Sequence, residues 1–121
     1  MSTPERPIRI LLVEDNDVYR DSLVYLLGAR AELEVVGAEG TGEGAIRRAR
    51  ELDPDVSVVD FRLPDIDGGT VAASVESAVV FLSASAGEAE YDAASSAGAA
   101  LVRKDEGLDA LVGAIRAAAG R

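Results

Sequence analysis

The sequence lacks both cysteine and histidine among its 121 residues. Without cysteine the chain cannot form disulfides or hold zinc or iron–sulfur clusters through thiolates. Without histidine it has neither an imidazole metal ligand nor a Ser-His-Asp triad. Tryptophan is also absent and aromatic residues make up only 4% of the chain, so no platform for stacking nucleic-acid bases is visible.

Positive charge and long apolar runs are scarce as well. Twelve Lys and Arg residues oppose 22 Asp and Glu residues, and the pI is near 4.3, so we expect this domain to make no direct contact with nucleic acid. The apolar runs are far shorter than the roughly 20 residues of a membrane span, and the first residues do not resemble a secretory signal. We therefore expect a cytoplasmic location and no contact with membranes.

A rhythm of strand and helix runs through the chain. Short apolar runs predict five strands, at Ile8–Val13, Glu34–Ala38, Asp55–Asp60, Ala78–Ser83 and Ala99–Lys104. Helical spacing and capping residues predict helices over Asp17–Ala29, from Thr41 to about Leu52, from Gly68 to about Ser77, over Gly87–Ala97, and from Leu108 through Ile115.

Five successive βα units favour an α/β fold. We expect a doubly wound, five-stranded parallel sheet with the flavodoxin-like order 2-1-3-4-5 and helices on both faces. The length fits one domain over residues 1–121. Ligands bind such sheets at the carboxyl ends of the strands, beside the switch point between strands 1 and 3.

Polar residues follow the strands at that edge. They are Glu14 and Asp15 after strand 1, Asp60 ending strand 3, Ser83 ending strand 4 and Lys104 ending strand 5. Lys104 is the only lysine, and the other basic residues are arginine; a single lysine can mark a site that needs a compact ammonium. Singly, each residue also has an ordinary role as a helix cap, turn residue or solvated charge.

Together these groups indicate phosphoryl chemistry. Three neighbouring carboxylates repel one another unless a cation neutralises them, and a set of oxygen ligands suits Mg²⁺. A carboxylate is also a competent nucleophile toward phosphorus, and phosphoryl transfer needs mainly positioning and charge neutralisation. The strand ends therefore predict Mg²⁺-assisted phosphorylation of an aspartate.

Four segments carry a family pattern. They are Leu11–Asn16 with its acidic pair, Val58–Gly68 with Asp60 and its loop, Val80–Ala84 with a hydroxyl residue before a small one, and Val102–Asp105 with lysine. They resemble the receiver domains of two-component response regulators, the CheY-like superfamily, over about Ile8 to Ala119. Val35–Ala38 and Lys104–Asp105 resemble the NarL/FixJ subgroup, whose receivers usually precede a helix-turn-helix DNA-binding domain. We expect no such effector domain within these 121 residues.

The resemblance implies a role for each residue. Asp60 would accept a phosphoryl group from a sensor histidine kinase, Ser83 would contact that group, and Lys104 would pair with it. Mg²⁺ would be held by Asp15, Asp60 and the backbone carbonyl of Arg62, with Glu14 acting largely through water. The domain would be a regulatory phosphoacceptor that catalyses at most its own phosphorylation and dephosphorylation, not an enzyme.

The resemblance also implies an output surface. The fourth helix, fifth strand and fifth helix would form it, would support a homodimer, and would control transcription through an effector domain. Three departures from the family pattern bear on this expectation. The segment from Asp60 to Ser83 is several residues short, which predicts a clipped third helix or exit loop, and the segment from Ser83 to Lys104 is about one residue short. Leu101 stands where an aromatic switch residue is usual, so we expect the switch to run through the Ser83–Gly87 loop and the fourth helix.

Three other interpretations compete. The same fold could serve as a pseudo-receiver, an interaction module that is not phosphorylated. Gly40–Ala45 matches the G-x-G-x-x-A pattern of dinucleotide binding, but it follows strand 2, not strand 1. A dehalogenase-type phosphatase would need an acid where Arg62 stands, and we discard it.

Overall fold

The computed structural model describes residues 6–85 and 87–121. Its elements are β1 Ile8–Val13, α1 Asp17–Gly28, β2 Leu33–Glu39, α2 Gly42–Leu52, β3 Val56–Asp60, α3 Gly68–Ser74, β4 Ala78–Ser83, α4 Glu88–Ser96, β5 Ala100–Arg103 and α5 Leu108–Ala118. A short 3₁₀ turn over Lys104–Glu106 joins β5 to α5. Residues 1–5 lie outside the described residues, and so does Ala86 of the expected switch loop. The expectation that the amino terminus is not a secretory signal concerns the first of these segments.

The five strands form one parallel sheet in the order β2-β1-β3-β4-β5. This confirms the predicted doubly wound topology. All five residues of β3 are buried, because helices cover the central strand on both faces. β1 and β3 are adjacent in this order. Their carboxyl ends therefore lie side by side at the edge of the sheet that carries the predicted polar residues.

Two apolar cores lie on opposite faces of the sheet. The first includes Ile10, Leu12, Leu27, Val112 and Ile115, and it joins the sheet to α1 and α5. The second includes Leu11, Val13, Ala45, Val71, Phe81 and Ala94, and it joins the sheet to α2, α3 and α4. Alternation along β1 explains the division, because successive side chains of a strand point to opposite faces.

Several predicted boundaries shift by one or a few residues, and two of these shifts, at the ends of the third helix and the fifth strand, have a clear local cause. The third helix ends at Ser74 instead of near Ser77, because Val75 is extended, with φ −113° and ψ 150°. The helix has seven residues, which agrees with the expectation that the third helix or its exit loop is clipped. The fifth strand ends at Arg103, and Lys104 begins the 3₁₀ turn. The backbone N–H of Arg103 donates to the Glu106 carboxylate (2.7 Å) and secures that turn.

Local side chains determine where the helices begin. The side chain of Asn16 accepts the backbone N–H of Tyr19 at the start of α1, and Thr41 and Asp67 do the same for α2 and α3. Such caps satisfy N–H groups that have no partner within the helix. Among the described residues no helix is long and apolar enough to cross a membrane.

Candidate functional site

A cleft opens at the carboxyl edge of the sheet, where the sequence predicts a site. It is lined by Asp15, Asp60, Arg62, Ser83, Ala84, Ser85 and Lys104. Glu14 lies beneath these residues and is fully buried. The structure therefore brings together the five predicted residues of the acidic, hydroxyl and ammonium set.

Asp60 lies at the end of β3 and is only 5% exposed. One carboxylate oxygen, Oδ1, accepts the backbone N–H of Arg62 (2.9 Å), and Oδ2 accepts the ammonium of Lys104 (2.9 Å). The loop after β3 returns tightly to this backbone at Gly68. A Cβ on Gly68 would lie 2.8 Å from the Asp60 carbonyl oxygen and 2.9 Å from the Phe61 Cα, so a side chain there would displace the loop that frames Asp60.

Glu14 anchors the floor of the cleft. Its Oε2 accepts the backbone N–H of Asn16 (3.1 Å), and its Oε1 accepts the ammonium of Lys104 (2.5 Å). Burial raises the pKa of Glu14 to about 7; the hydrogen bond from Lys104 opposes that rise, and the neighbouring Asp60 adds to it. Burial, with a smaller contribution from the neighbouring Asp60 carboxylate, therefore favours the protonated form of Glu14 below about pH 7.

Asp15 is the exposed member of the acidic group. Its carboxylate makes no hydrogen bond or ion pair with any of the residues that the structure describes. Carboxylate oxygens of Glu14, Asp15 and Asp60 all lie within 4.8 Å of one another. These carboxylates are hard oxygen donors, and that of Asp15 is free of partners in the described part of the chain and faces solvent. Such a set fits Mg²⁺, which takes one or two carboxylates and keeps several waters.

Lys104 is held from two sides. Its ammonium bonds to Glu14 and Asp60, and it also lies 4.6 Å from the centroid of the Tyr19 ring. Burial lowers the pKa of Lys104, but the hydrogen bonds to Glu14 and Asp60 outweigh that effect and the net shift is upward. Lys104 is therefore cationic at neutral pH and neutralises part of the acidic group.

The remaining predicted residues take distinct positions. The Ser83 hydroxyl, on a residue 5% exposed, donates to the carbonyl of Ser85 (2.8 Å) along the loop after β4. Leu101 is half-buried and packs against the second core, away from the cleft. The Arg62 side chain is 82% exposed, and its Nη2 lies 3.5 Å from Oε1 of Glu90 on α4.

Two contributors were missed by the sequence analysis. Tyr19 reaches Lys104 from α1, and Arg20 donates from Nη1 to the carbonyl oxygen of Glu14 (2.7 Å) and from Nη2 to Asp17 (2.7 Å). Their position in the first turn of α1, directly after the acidic pair, was the available signal. A helix that starts beside a strand end places its first turn against that edge of the sheet.

The comparisons with known proteins agree with this geometry. The family model described as the response regulator receiver domain matches residues 10–116. The chain belongs to the response regulator receiver family. This confirms the resemblance seen in the four strand-end segments.

Individual relatives of this receiver domain lie in regulatory proteins. It is 48% identical over 61 residues to the DNA-binding transcriptional activator DevR/DosR of Mycobacterium tuberculosis, covering 50% of this chain and 28% of that protein. Its structure is similar to a signal receiver domain assigned to NarL of Mycobacterium tuberculosis, with TM-score 0.84 and 27% identity over 97% of this chain and 100% of that one. It is also similar to the response regulator domain of Thermotoga maritima CheB, with TM-score 0.85 and 26% identity over 96% of this chain and 98% of that one.

The curated relatives are longer than the region they share with this receiver. The match with one protein-glutamate methylesterase of Myxococcus xanthus covers 20% of that protein, and the match with the DevR/DosR activator covers 28%. This chain therefore spans less than a third of the length of either relative.

The structure also argues against dinucleotide binding at Gly40–Ala45. In that interpretation the start of α2 would hold a pyrophosphate on its free N–H groups. The Asp65 carboxylate already accepts the N–H of Gly42 (2.8 Å) and of Glu43 (2.9 Å). These two bonds lower the pKa of Asp65, so a carboxylate of this chain occupies the position that a phosphate would need.

Proposed function

We propose that this receiver domain accepts a phosphoryl group on Asp60 from a sensor histidine kinase in the presence of Mg²⁺. The observation that carries the proposal is the Asp60 carboxylate at the edge of an open cleft, bonded to Lys104 and close to the carboxylates of Glu14 and Asp15. An oxygen of Asp60 would bond to phosphorus while the phosphorus–nitrogen bond of a phosphohistidine breaks, and its electron pair would leave on the imidazole.

The residues around Asp60 divide the remaining work. Asp15, Asp60 and the Arg62 carbonyl would hold Mg²⁺, with Glu14 acting through water. When bound, Mg²⁺ supplies charge neutralisation on the phosphoryl oxygens. Lys104 would move from the Asp60 carboxylate to a phosphoryl oxygen, and Ser83 would exchange its bond to the Ser85 carbonyl for one to another phosphoryl oxygen.

Phosphorylation with acetyl phosphate and Mg²⁺, followed by intact mass measurement, tests the acceptor. We expect one phosphoryl adduct on the wild type and none on Asp60→Asn. Asp67→Asn is the matched control, because Asn can still cap α3 there and the adduct should remain. An adduct on Asp60→Asn would overturn the assignment, and a wild type that takes up no phosphoryl group would select the pseudo-receiver instead.

The metal assignment has its own test. Asp15→Ala removes a carboxylate that has no partner among the described residues, so the fold should persist while phosphorylation falls at least tenfold, on the order of the loss of one charged contact. The measurement is the Mg²⁺ dependence of the phosphorylation rate. Normal phosphorylation of Asp15→Ala at low Mg²⁺ would contradict the metal site.

We propose further that phosphorylation changes the surface formed by α4, β5 and α5. This surface would carry a homodimer contact and act on an effector domain that controls transcription, and a cytoplasmic location belongs to the same proposal. The match to a DNA-binding transcriptional activator supports the output. Sedimentation with and without beryllofluoride tests the homodimer; an unchanged mass would remove dimerisation from the proposal.

A further inference from the structure

Tyr19 is a residue of the site that the phosphoryl chemistry leaves without a role. It lies in the first turn of α1, and its backbone N–H donates to the side chain of Asn16 (2.9 Å), which fixes the start of the helix. Its ring packs against the first core. The Lys104 ammonium lies over that ring, 4.6 Å from the centroid, within the distance of about 6 Å at which the negative face of an aromatic ring attracts a cation.

We propose that Tyr19 is a positioning residue whose ring keeps the Lys104 ammonium at the Asp60 side of the cleft before and after phosphorylation. This inference rests on the proposed function, because it concerns the lysine that pairs with the phosphoryl group.

The two carboxylate partners of Lys104 cannot by themselves keep its ammonium at the Asp60 side of the cleft both before and after phosphorylation. Lys104 lies 2.5 Å from Glu14 Oε1 and 2.9 Å from Asp60 Oδ2. Phosphorylation converts the Asp60 carboxylate into an acyl phosphate, so the negative charge lies on the phosphoryl oxygens and no longer on the carboxylate oxygen that Lys104 contacts. Lys104 must then shift to a phosphoryl oxygen, and a hydrogen bond to a fixed oxygen weakens when its length or angle changes. The attraction of a ring face is broad, so it persists while the ammonium moves.

The Tyr19 ring also keeps the Lys104 side chain from turning away from Asp60 into a neighbouring groove. Tyr19 and Lys104 both line a groove whose other walls are largely apolar, with Leu23, Leu26, Leu82, Val102, Leu108 and Leu111 among them. Without the ring, the flexible four-carbon stem of Lys104 could lie along this groove and carry the ammonium away from Asp60.

The ring, not the hydroxyl, is the working part of Tyr19. Among the described residues its hydroxyl has no hydrogen-bond partner, and burial raises the pKa of Tyr19, so the phenol stays neutral. Phenylalanine should therefore replace it, whereas leucine should fill the space against the core but lose the cation contact. A purely structural role predicts that leucine is tolerated as well as phenylalanine, since leucine would pack adequately.

The test compares Tyr19→Phe, Tyr19→Leu and the wild type, with Tyr25→Leu as the matched control. Tyr25 lies on the same helix and is 77% exposed. The measurements are the affinity for beryllofluoride in Mg²⁺ and the chemical shifts of the Lys104 ε-methylene protons, which an overlying ring moves upfield. We expect Tyr19→Phe and Tyr25→Leu to match the wild type within about twofold. Tyr19→Leu should bind about threefold to tenfold more weakly and lose the upfield shift.

The outcomes separate this proposal from the proposed function. Wild-type affinity in Tyr19→Leu would overturn the role of Tyr19 alone, and so would an equal loss in Tyr19→Phe. A wild type that binds no beryllofluoride would overturn the proposed function and this role with it. In a Lys104→Ala background, Tyr19→Leu should cause no further loss, because the ring acts through the lysine. Should Tyr19→Leu fail to fold, Tyr19→Met takes its place, since a flexible thioether fills irregular space.

Discussion

At the scale of single residues, the cleft depends on one ammonium shared by two carboxylates. Lys104 lies between Glu14 and Asp60, which come from different strands. An ammonium donates in three directions from a single point, whereas a guanidinium is planar and wider. The identity of this cation should therefore matter more than its charge.

Lys104→Arg tests that conclusion. We expect arginine to fail as a substitute, with beryllofluoride binding weaker by about tenfold or more, because a charged hydrogen bond is lost or misplaced. The measurement is the change in amide chemical shifts around β4 and β5 when beryllofluoride and Mg²⁺ are added. A wild-type response in Lys104→Arg would mean that the single lysine only reflects the composition of the chain.

Glu14 makes the stability of the metal-free protein depend on pH. Its pKa is raised from 4.5 to about 7 in the folded state, chiefly by burial. Between these values the folded state binds more protons than the unfolded state, so stability falls as pH rises through this window. The loss is on the order of 3–4 kcal/mol at most, since one pKa unit corresponds to about 1.4 kcal/mol.

Urea unfolding of wild type and Glu14→Gln, in the presence of a chelator, measures this contribution. The wild type should lose more stability than Glu14→Gln between about pH 5 and pH 8. Glutamine keeps a similar size and can accept a hydrogen bond from Lys104, so it is the appropriate comparison. Parallel pH profiles for the two proteins would contradict a buried, titrating Glu14.

At the scale of elements, α4 is the helix with the least support. Its nine residues bury only Ala94, and its start is held by the Glu90 carboxylate, which accepts the N–H of Gly87 (2.8 Å). The backbone N–H of Glu90 itself and the bond from Gly87 lower the pKa of this carboxyl group. An element with few buried contacts has a low free energy of local unfolding. We therefore expect α4 to shift when the Ser83 hydroxyl exchanges the Ser85 carbonyl for a phosphoryl oxygen.

Leu101→Ala tests whether this response needs a lever on β5. Leu101 packs against the second core beside Phe81, and its burial reflects apolar packing of roughly 1.5–3 kcal/mol. We expect beryllofluoride to change hydrogen exchange over residues 84–97 equally in wild type and Leu101→Ala. If the substitution abolishes the change, leucine is itself the lever and the proposed route through α4 is wrong.

At the scale of the whole molecule, the sheet centre connects the site to α4. Phe81 on β4 is fully buried, and its ring meets that of Phe61 edge-on, with the ring centroids 5.2 Å apart. In the sheet, Phe81 lies opposite Val59 of β3 and Leu101 of β5. Phe61 directly follows Asp60 in the chain. Packing in this layer therefore joins the loop after β3 to the strands beneath α4.

Phe81→Ala should lower the free energy of unfolding by about 3–5 kcal/mol. That is a large share of the roughly 5–15 kcal/mol that stabilises an ordinary domain. Val18→Ala is the control, because Val18 is 77% exposed and should change stability by less than about 0.5 kcal/mol. Urea unfolding measures both, and equal losses would contradict the second core as described.

Much of the site could be predicted because each residue ends a recognisable strand or directly follows one. Apolar runs located the strands, and the parallel topology placed Asp15, Asp60, Ser83 and Lys104 at one edge. The end of α3 was harder to predict, because the alanine-rich and polar residues before β4 contain no strong helix stop signal. Only the structure shows that the helix ends at Ser74 and that Val75 is extended. The turn at Lys104 was also missed, because its bond from Arg103 to Glu106 depends on the geometry of the loop.

The sequence by itself determined the five βα units, the parallel order and the residues at the strand ends, because these follow from local periodicity and from general rules of connection. Only the tertiary structure decided which of those groups touch. It placed Lys104 on both Glu14 and Asp60, the Tyr19 ring over Lys104, and Asp65 on the start of α2. These contacts join residues far apart in the chain and depend on strand register and side-chain packing, which no local pattern specifies.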